Sequence, residues 1–153
     1  MDKPVRRPTL SSALFYEEPR AALDWLERAF GFAHIVVITD AQDRLVHAEM
    51  RYGDGSIMIG AEWAQFTASP LNIGGKNTQS VHVHLSEDLG AHCERARAAG
   101  AAILQEPADQ FWGDRTYRAR DPEGHVWTFA QSIRAVSREQ AELASGLRIE
   151  GWT

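Results

Sequence analysis

The chain carries one cysteine in 153 residues, Cys93, so no disulfide can close within it. That usage fits a reducing compartment, and a cytoplasmic setting is expected. Leu89, Cys93 and Ala96 recur at helical spacing, which makes the thiol a small packing group. No stretch approaches the roughly 18 consecutive apolar residues of a membrane-spanning helix. There is also no basic block: 16 Lys and Arg stand against 21 Asp and Glu, for a net charge of −5. Nucleic acid and anionic membrane surfaces are therefore not expected as partners. The opening MDKPVRRP is basic, but no apolar segment follows it, so it does not read as a signal peptide. What is present is a 44% hydrophobic composition, enough for the core of one domain and too little for two large ones.

The main feature is an internal repeat of roughly 65 residues, which decides the fold before any single motif does. The first copy reads ALFYEEPRAALDWLERAFGF and then VHAEMRYGDGSIMIG; the second reads VHVHLSEDLGAHCERARAAGA and then RTYRARDPEGHVWTFAQ. In copy one, a strand over residues 9–16 leads to a helix that starts at Pro19 and ends at Gly31. Strands follow over 33–39, 44–52 and 56–60, the last two joined by the hairpin signal Gly53, Asp54, Gly55. Copy two has a strand over 80–85, a helix over 88–99 closed by Gly100, and a strand over 101–105. A longer loop over 107–114 carries Phe111 and Trp112, and strands over 115–120 and 125–131 complete it. Residues 64–78 have turn composition and connect the copies, with a possible role as a lid. Ser137 followed by Gln140 resembles a capping box, which predicts a short helix over 137–144 ended by Gly146. The order β, α, β, β, β thus occurs twice: module one over 9–63, module two over 79–131, and an extension over 132–153.

Period-two alternation assigns faces. Val81, Val83 and Leu85 should pack under the helices, leaving Ser80, His82 and His84 on the opposite face. In the third strand Val46, Ala48 and Met50 are the expected packing side, with His47, Glu49 and Arg51 opposite. Thr116, Arg118 and Arg120 take the matching places in copy two. Trp25, Trp127 and Phe129 fall on packing faces. Two polar faces, if paired, would line a shared cleft.

The ordered set ALDWLERAFGF, HAEMRYGDGSIMIG, ERARAAGA and GDRTYRARDPEGHVWTF resembles the vicinal oxygen chelate superfamily of glyoxalases, extradiol dioxygenases and bleomycin-resistance proteins, over roughly residues 9–131. The resemblance implies an α+β fold in which two βαβββ modules form an eight-stranded open barrel with helices outside, usually in a homodimer. It also implies metal-ligand places at the first and last strand of each module. These fall on Ser11, on Met58 or Ile59, on Ser80 and on Thr128. Divalent metals take imidazole nitrogen or carboxylate oxygen at about 2.0 to 2.2 Å, which hydroxyls and a thioether do not supply, so no metal and no cofactor is assigned.

His47, Glu49, His82, His84, Trp112 and Arg118 remain as candidate ligand-binding residues. The His pair and Glu49 could form a displaced metal site, or hydrogen-bond a bound molecule. Trp112 and Phe111 could stack on a planar ligand, or cap the barrel or a dimer contact. Arg118 facing Glu49 could receive an anionic group or form a structural pair. Glu62 reads as a solvated rim residue, and Arg115, Arg120 and Asp121 as surface or hairpin-fixing groups. The leading expectation is binding of a small organic molecule in the cleft without the usual metal. The alternatives are a lyase, isomerase or dioxygenase of the superfamily, with or without metal, and a structural or regulatory module.

Overall fold

A computed structural model describes residues 4 and 6–152; residues 1–3, 5 and 153, and with them much of the basic N-terminal segment, lie outside the described residues. Module one consists of β1 (Ser11–Tyr16), α1 (Pro19–Phe30), β2 (Ala33–Thr39), β3 (Leu45–Tyr52) and β4 (Gly55–Ala61). Module two repeats the order with β5 (Val81–His84), α2 (Leu89–Ala98), β6 (Ala102–Asp109), β7 (Asp114–Arg120) and β8 (Val126–Ser132), and α3 (Arg138–Ser145) follows. Each module forms one open four-stranded mixed sheet, with strand orders β1-β4-β3-β2 and β5-β8-β7-β6. This is the α+β, two-module open architecture that the repeat implies.

Local chemistry explains the helices. Pro19 occupies the first turn of α1, and Gly31 ends it in the left-handed conformation at φ 81°, which only glycine adopts without steric cost. Asp88 caps α2 by accepting from Ala91 N. Ser137 and Gln140 form the full capping box of α3, as the spacing predicts.

Two expectations are corrected. Val46 does not pack inward but is 57% exposed, while Leu45 is buried. Ile38 pairs with His47 and Thr39 with Leu45, so Val46 is an unpaired bulge residue and alternation breaks there. The long loop expected over 107–114 is a tight turn, because β6 continues through Pro107 to Asp109. β6 is the edge of its sheet, and a shift in register spans Gln105 to Ala108, so the missing N–H of Pro107 breaks no ladder.

The modules share one apolar core: Phe30 of α1 packs on Trp127 and Phe129 of β8, with ring centroids 5.3 and 4.7 Å away. Cys93 and the predicted core residues Trp25, Trp127 and Phe129 are buried in it. Helix α1 is held at both ends by module two. Its N-cap, Glu18, makes no side-chain cap; instead the Glu123 carboxylate accepts from Glu17 N at 2.7 Å and Glu18 N at 2.9 Å. At the other end Arg95 donates to the carbonyls of Arg28 and Glu27 at 2.8 and 2.9 Å. An anion at the N-terminus and a cation at the C-terminus both complement the helix dipole. The modules therefore meet through α1 and α2, and the sheet faces that carry the predicted site residues are left open.

Candidate functional site

On the open face of module two, strand pairing sets His82 beside Thr128 and His84 beside Ala130, and Arg118 beside Thr128 from the other side. The Arg118 Nε donates to Thr128 Oγ1 at 3.1 Å. The rings of His82 and His84 lie 5.0 Å apart, both exposed. Partial desolvation against the sheet, with some help from neighbouring His84, holds the His82 imidazole below its ordinary value although the residue remains exposed overall, so at neutral pH it is a neutral hydrogen-bonding group.

Trp112, in the β6–β7 turn, is 39% exposed. Its Nε1–H donates to Asp114 Oδ2 at 2.9 Å, Ser132 donates to the other Asp114 oxygen at 3.0 Å, and Phe111 meets the indole edge-on at 5.0 Å. The indole is thereby fixed in orientation. Gly113 makes this turn possible at φ 104°, where a Cβ would sit 2.4 Å from Arg134 O. On the same face of β7 as Arg118, Thr116 is buried and accepts from Gln105 and Gln110 at 3.1 and 3.0 Å.

The open face of module one carries His47 and Glu49 on β3, with Met58 paired to Glu49 on β4. Ile59 is fully buried in the core, so Met58 is the last-strand residue on this face. Glu49 is 8% exposed because Arg7 lies over it: the guanidinium reaches both carboxylate oxygens at 3.3 to 3.4 Å. His47 Nε2 is 3.4 Å from Glu49 Oε1. Within the chain the two groups of predicted residues remain separate, and the expected partnership between Glu49 and Arg118 is replaced by Arg7 with Glu49 and Thr128 with Arg118.

The family's metal places do not fit a divalent ion here. Ser11 Oγ is engaged by Ser56 Oγ at 2.6 Å, Met58 offers a thioether, and the Thr128 hydroxyl accepts from a guanidinium, whose charge repels a cation. Among the described residues no three His, Cys, Asp or Glu side chains converge as a metal-binding group.

Asp121, read as a surface or hairpin-fixing group, does fix its turn by accepting from Glu123 N and His125 N at 3.1 and 2.9 Å, but its burial, and the buried Glu123 and His92, were not read from the sequence. Asp121, 4% exposed, accepts from Tyr16 OH at 2.6 Å and Trp127 Nε1 at 3.2 Å; burial pushes its carboxyl above the usual range. Glu123 caps α1 and also accepts from Ser69 OH at 2.6 Å. His92 donates Nε2–H to the Phe30 carbonyl at 2.9 Å and accepts from Tyr117 OH at Nδ1. The DPEG turn was a signal for the first two, whereas His92 had none beyond its place on a helix face. Glu62, read as a rim residue, organises the connector by accepting from Ser69 N and the Asn72 amide.

A cavity of about 630 Å³ lies elsewhere, between α1 and the β7–β8 turn, with Trp25, Asp121 and Glu123 among its walls. The Asp121 and Glu123 carboxylates are already occupied by Tyr16, Trp127, Ser69 and the α1 backbone.

Residues 10–129 match the family model described as Glyoxalase/Bleomycin resistance protein/Dioxygenase superfamily. Uncharacterized protein Rv0887c of Mycobacterium tuberculosis is 29% identical over 149 residues, spanning 94% of this chain and 86% of that protein. The crystal structure of TioX from Micromonospora sp. ML1 superposes with a TM-score of 0.67 at 36% identity, covering 82% of this chain and 99% of that one. A superfamily member from Sphaerobacter thermophilus shares the fold at 17% identity, with a TM-score of 0.64 over 82% of this chain and 98% of its own. With its two βαβββ modules, and with the model spanning nearly all of both, the chain belongs to the Glyoxalase/Bleomycin resistance protein/Dioxygenase superfamily.

Proposed function

We propose that this protein is a cytoplasmic binding protein for a small organic molecule, held on the open sheet faces without a metal at the family's ligand places. The observation that carries this reading is that β5 and β7 set His82 and Arg118 beside Thr128 and His84 beside Ala130, while the Trp112 indole is fixed at the Asp114 end of the same sheet. Imidazoles and a guanidinium offer directional hydrogen bonds and an indole offers a stacking plane, which is the usual composition of a small-molecule site. The alternative of metal-dependent turnover asks for donors that Ser11, Met58, Ser80 and Thr128 lack.

We also propose a homodimer. An open face is half a cleft, and strands β2, β3 and β6 leave Val37, Ile38, Val46 and Leu104 exposed, an apolar surface of the kind that contacts between subunits cover. Sedimentation at micromolar concentration is expected to give twice the chain mass, and a monomer at all concentrations would remove this part.

The binding reading is tested by a thermal-shift screen of planar aromatic compounds, run with and without EDTA, alongside metal analysis of protein purified without chelator. Stabilisation by at least one compound, unchanged by EDTA and lost in His82→Ala and Trp112→Ala, is expected. Stoichiometric metal that disappears in His82→Ala and His84→Ala would contradict the reading.

A further inference from the structure

The charges on the open face of module two narrow the ligand class. Arg118 and Arg120 lie on this face in alternate positions of β7, both exposed. Arg118 spends one N–H on the neutral Thr128 hydroxyl, and among the described residues neither arginine has a carboxylate partner within ion-pair distance. The nearby carboxylate, Asp114, is buried and takes Trp112 Nε1–H on one oxygen and Ser132 Oγ–H on the other. It holds the indole in place, and its one buried negative charge offsets only part of the charge of the two arginines.

The remaining acids of β6 turn elsewhere: Glu106 pairs with Arg97 at 2.6 Å and Asp109 with Arg115 at 2.6 Å. Nor is Glu49 a free counter-charge for a second surface to bring in, because Arg7 already covers it. In a chain of net charge −5, this face carries two arginines against the one buried carboxylate of Asp114, with the Trp112 indole held at the Asp114 end.

We infer that the open face of module two selects a planar aromatic acid, its carboxylate received by the free guanidinium N–H groups of Arg118 and its ring system stacked against Trp112. The inference rests on the binding reading above and adds the sign of the ligand's charge. Guanidinium and carboxylate match in geometry, since two parallel N–H groups meet two oxygens. The two imidazoles serve as additional hydrogen-bonding groups. An ammonium ligand meets only repulsion from the arginines, and a neutral isostere leaves the guanidinium unanswered.

The test compares three probes of one shape by calorimetry and by the Trp112 indole N–H resonance: 2-naphthoate, neutral 2-naphthamide and cationic 2-naphthylmethylammonium. Naphthoate is expected to bind about tenfold or more tighter than the amide, the usual size of a charge-assisted hydrogen bond, with the ammonium weakest. Arg118→Gln is expected to remove the advantage of naphthoate over the amide, and Arg118→Lys to retain part of the preference. Equal affinity for naphthoate and amide overturns the inference while leaving the binding reading standing. Persistence of the preference in Arg118→Gln also overturns it. Binding by none of the three probes removes the inference and the binding reading together. Should Arg118→Gln fail to fold, the comparison of probes on the unaltered protein decides.

Discussion

Glu123 links three segments that are distant in sequence, and removing it should separate them. Its carboxylate accepts from Glu17 N, Glu18 N and Ser69 OH at 2.7, 2.9 and 2.6 Å, so it caps α1 from the other module and pins the connector. Loss of a helix cap costs about 1 kcal/mol, and each hydrogen bond to a charged group contributes about 1.5 to 3 kcal/mol. Both backbone donors sit at an exposed helix start where water can replace part of the loss. Glu123→Ala is therefore expected to lower stability by about 3 kcal/mol, with a fall in melting temperature on the order of 10 °C for a chain of this size. Glu123→Gln keeps one acceptor oxygen but turns an amide N–H₂ towards a backbone N–H, and should cost about half as much. Glu94→Ala, on an exposed helix surface, serves as a control and should change stability by less than about 0.5 kcal/mol. Urea denaturation gives the energies, and hydrogen exchange at the Glu17 and Glu18 amides reports the cap itself. A loss below about 1 kcal/mol in Glu123→Ala, or unchanged protection at those two amides, would refute the argument.

Two further perturbations follow from buried groups. Burial holds the His92 imidazole below its ordinary value of 6.5, against the opposing hydrogen bond to the Phe30 carbonyl and the nearby Glu87. The unfolded chain then binds the proton more readily than the folded one, so stability should fall as pH drops from 6.5 towards the folded value and level off below it. His92→Gln, whose amide can serve both Tyr117 and Phe30, should remove that part of the slope in urea melts taken at successive pH values; an unchanged slope would show that His92 is not its source. Gly113→Ala forces a side chain to within 2.4 Å of Arg134 O at φ 104°, so it should cost about 2 kcal/mol or more. It should also release the Trp112 indole, seen as a shift and broadening of its N–H resonance, and a wild-type spectrum with wild-type stability would contradict this.

Several features were legible in the sequence because short-range chemistry decides them. Gly31, the Gly53–Gly55 hairpin and the Ser137–Gln140 box each fix one backbone feature with neighbouring residues alone, and the repeat multiplied that information by two. The alternation of Val81 to Leu85 likewise placed His82 and His84 correctly on the open face. Legibility ended where a residue's role depends on something far away in the chain. Val46 breaks alternation through a bulge against β2, and Pro107 stays in a strand only because β6 is an edge. Glu123 and Arg95 look like surface charges until α1 of the other module is set against them. For the site, alternation set His82 and His84 on one face of β5 and Arg118 on the matching face of β7, in the register that the pairing shows, but Glu49 is drawn to Arg7, an N-terminal residue that no periodicity connects to β3.

The most direct test of the proposed binding site is a resonance-by-resonance map of the protein titrated with a planar aromatic ligand. The account predicts that shifts concentrate at the His82 and His84 imidazoles, the Trp112 indole N–H and the Arg118 side chain, with the cavity around Trp25 and Leu71 silent. Shifts confined to Trp25 and Leu71, or absent altogether, would contradict it.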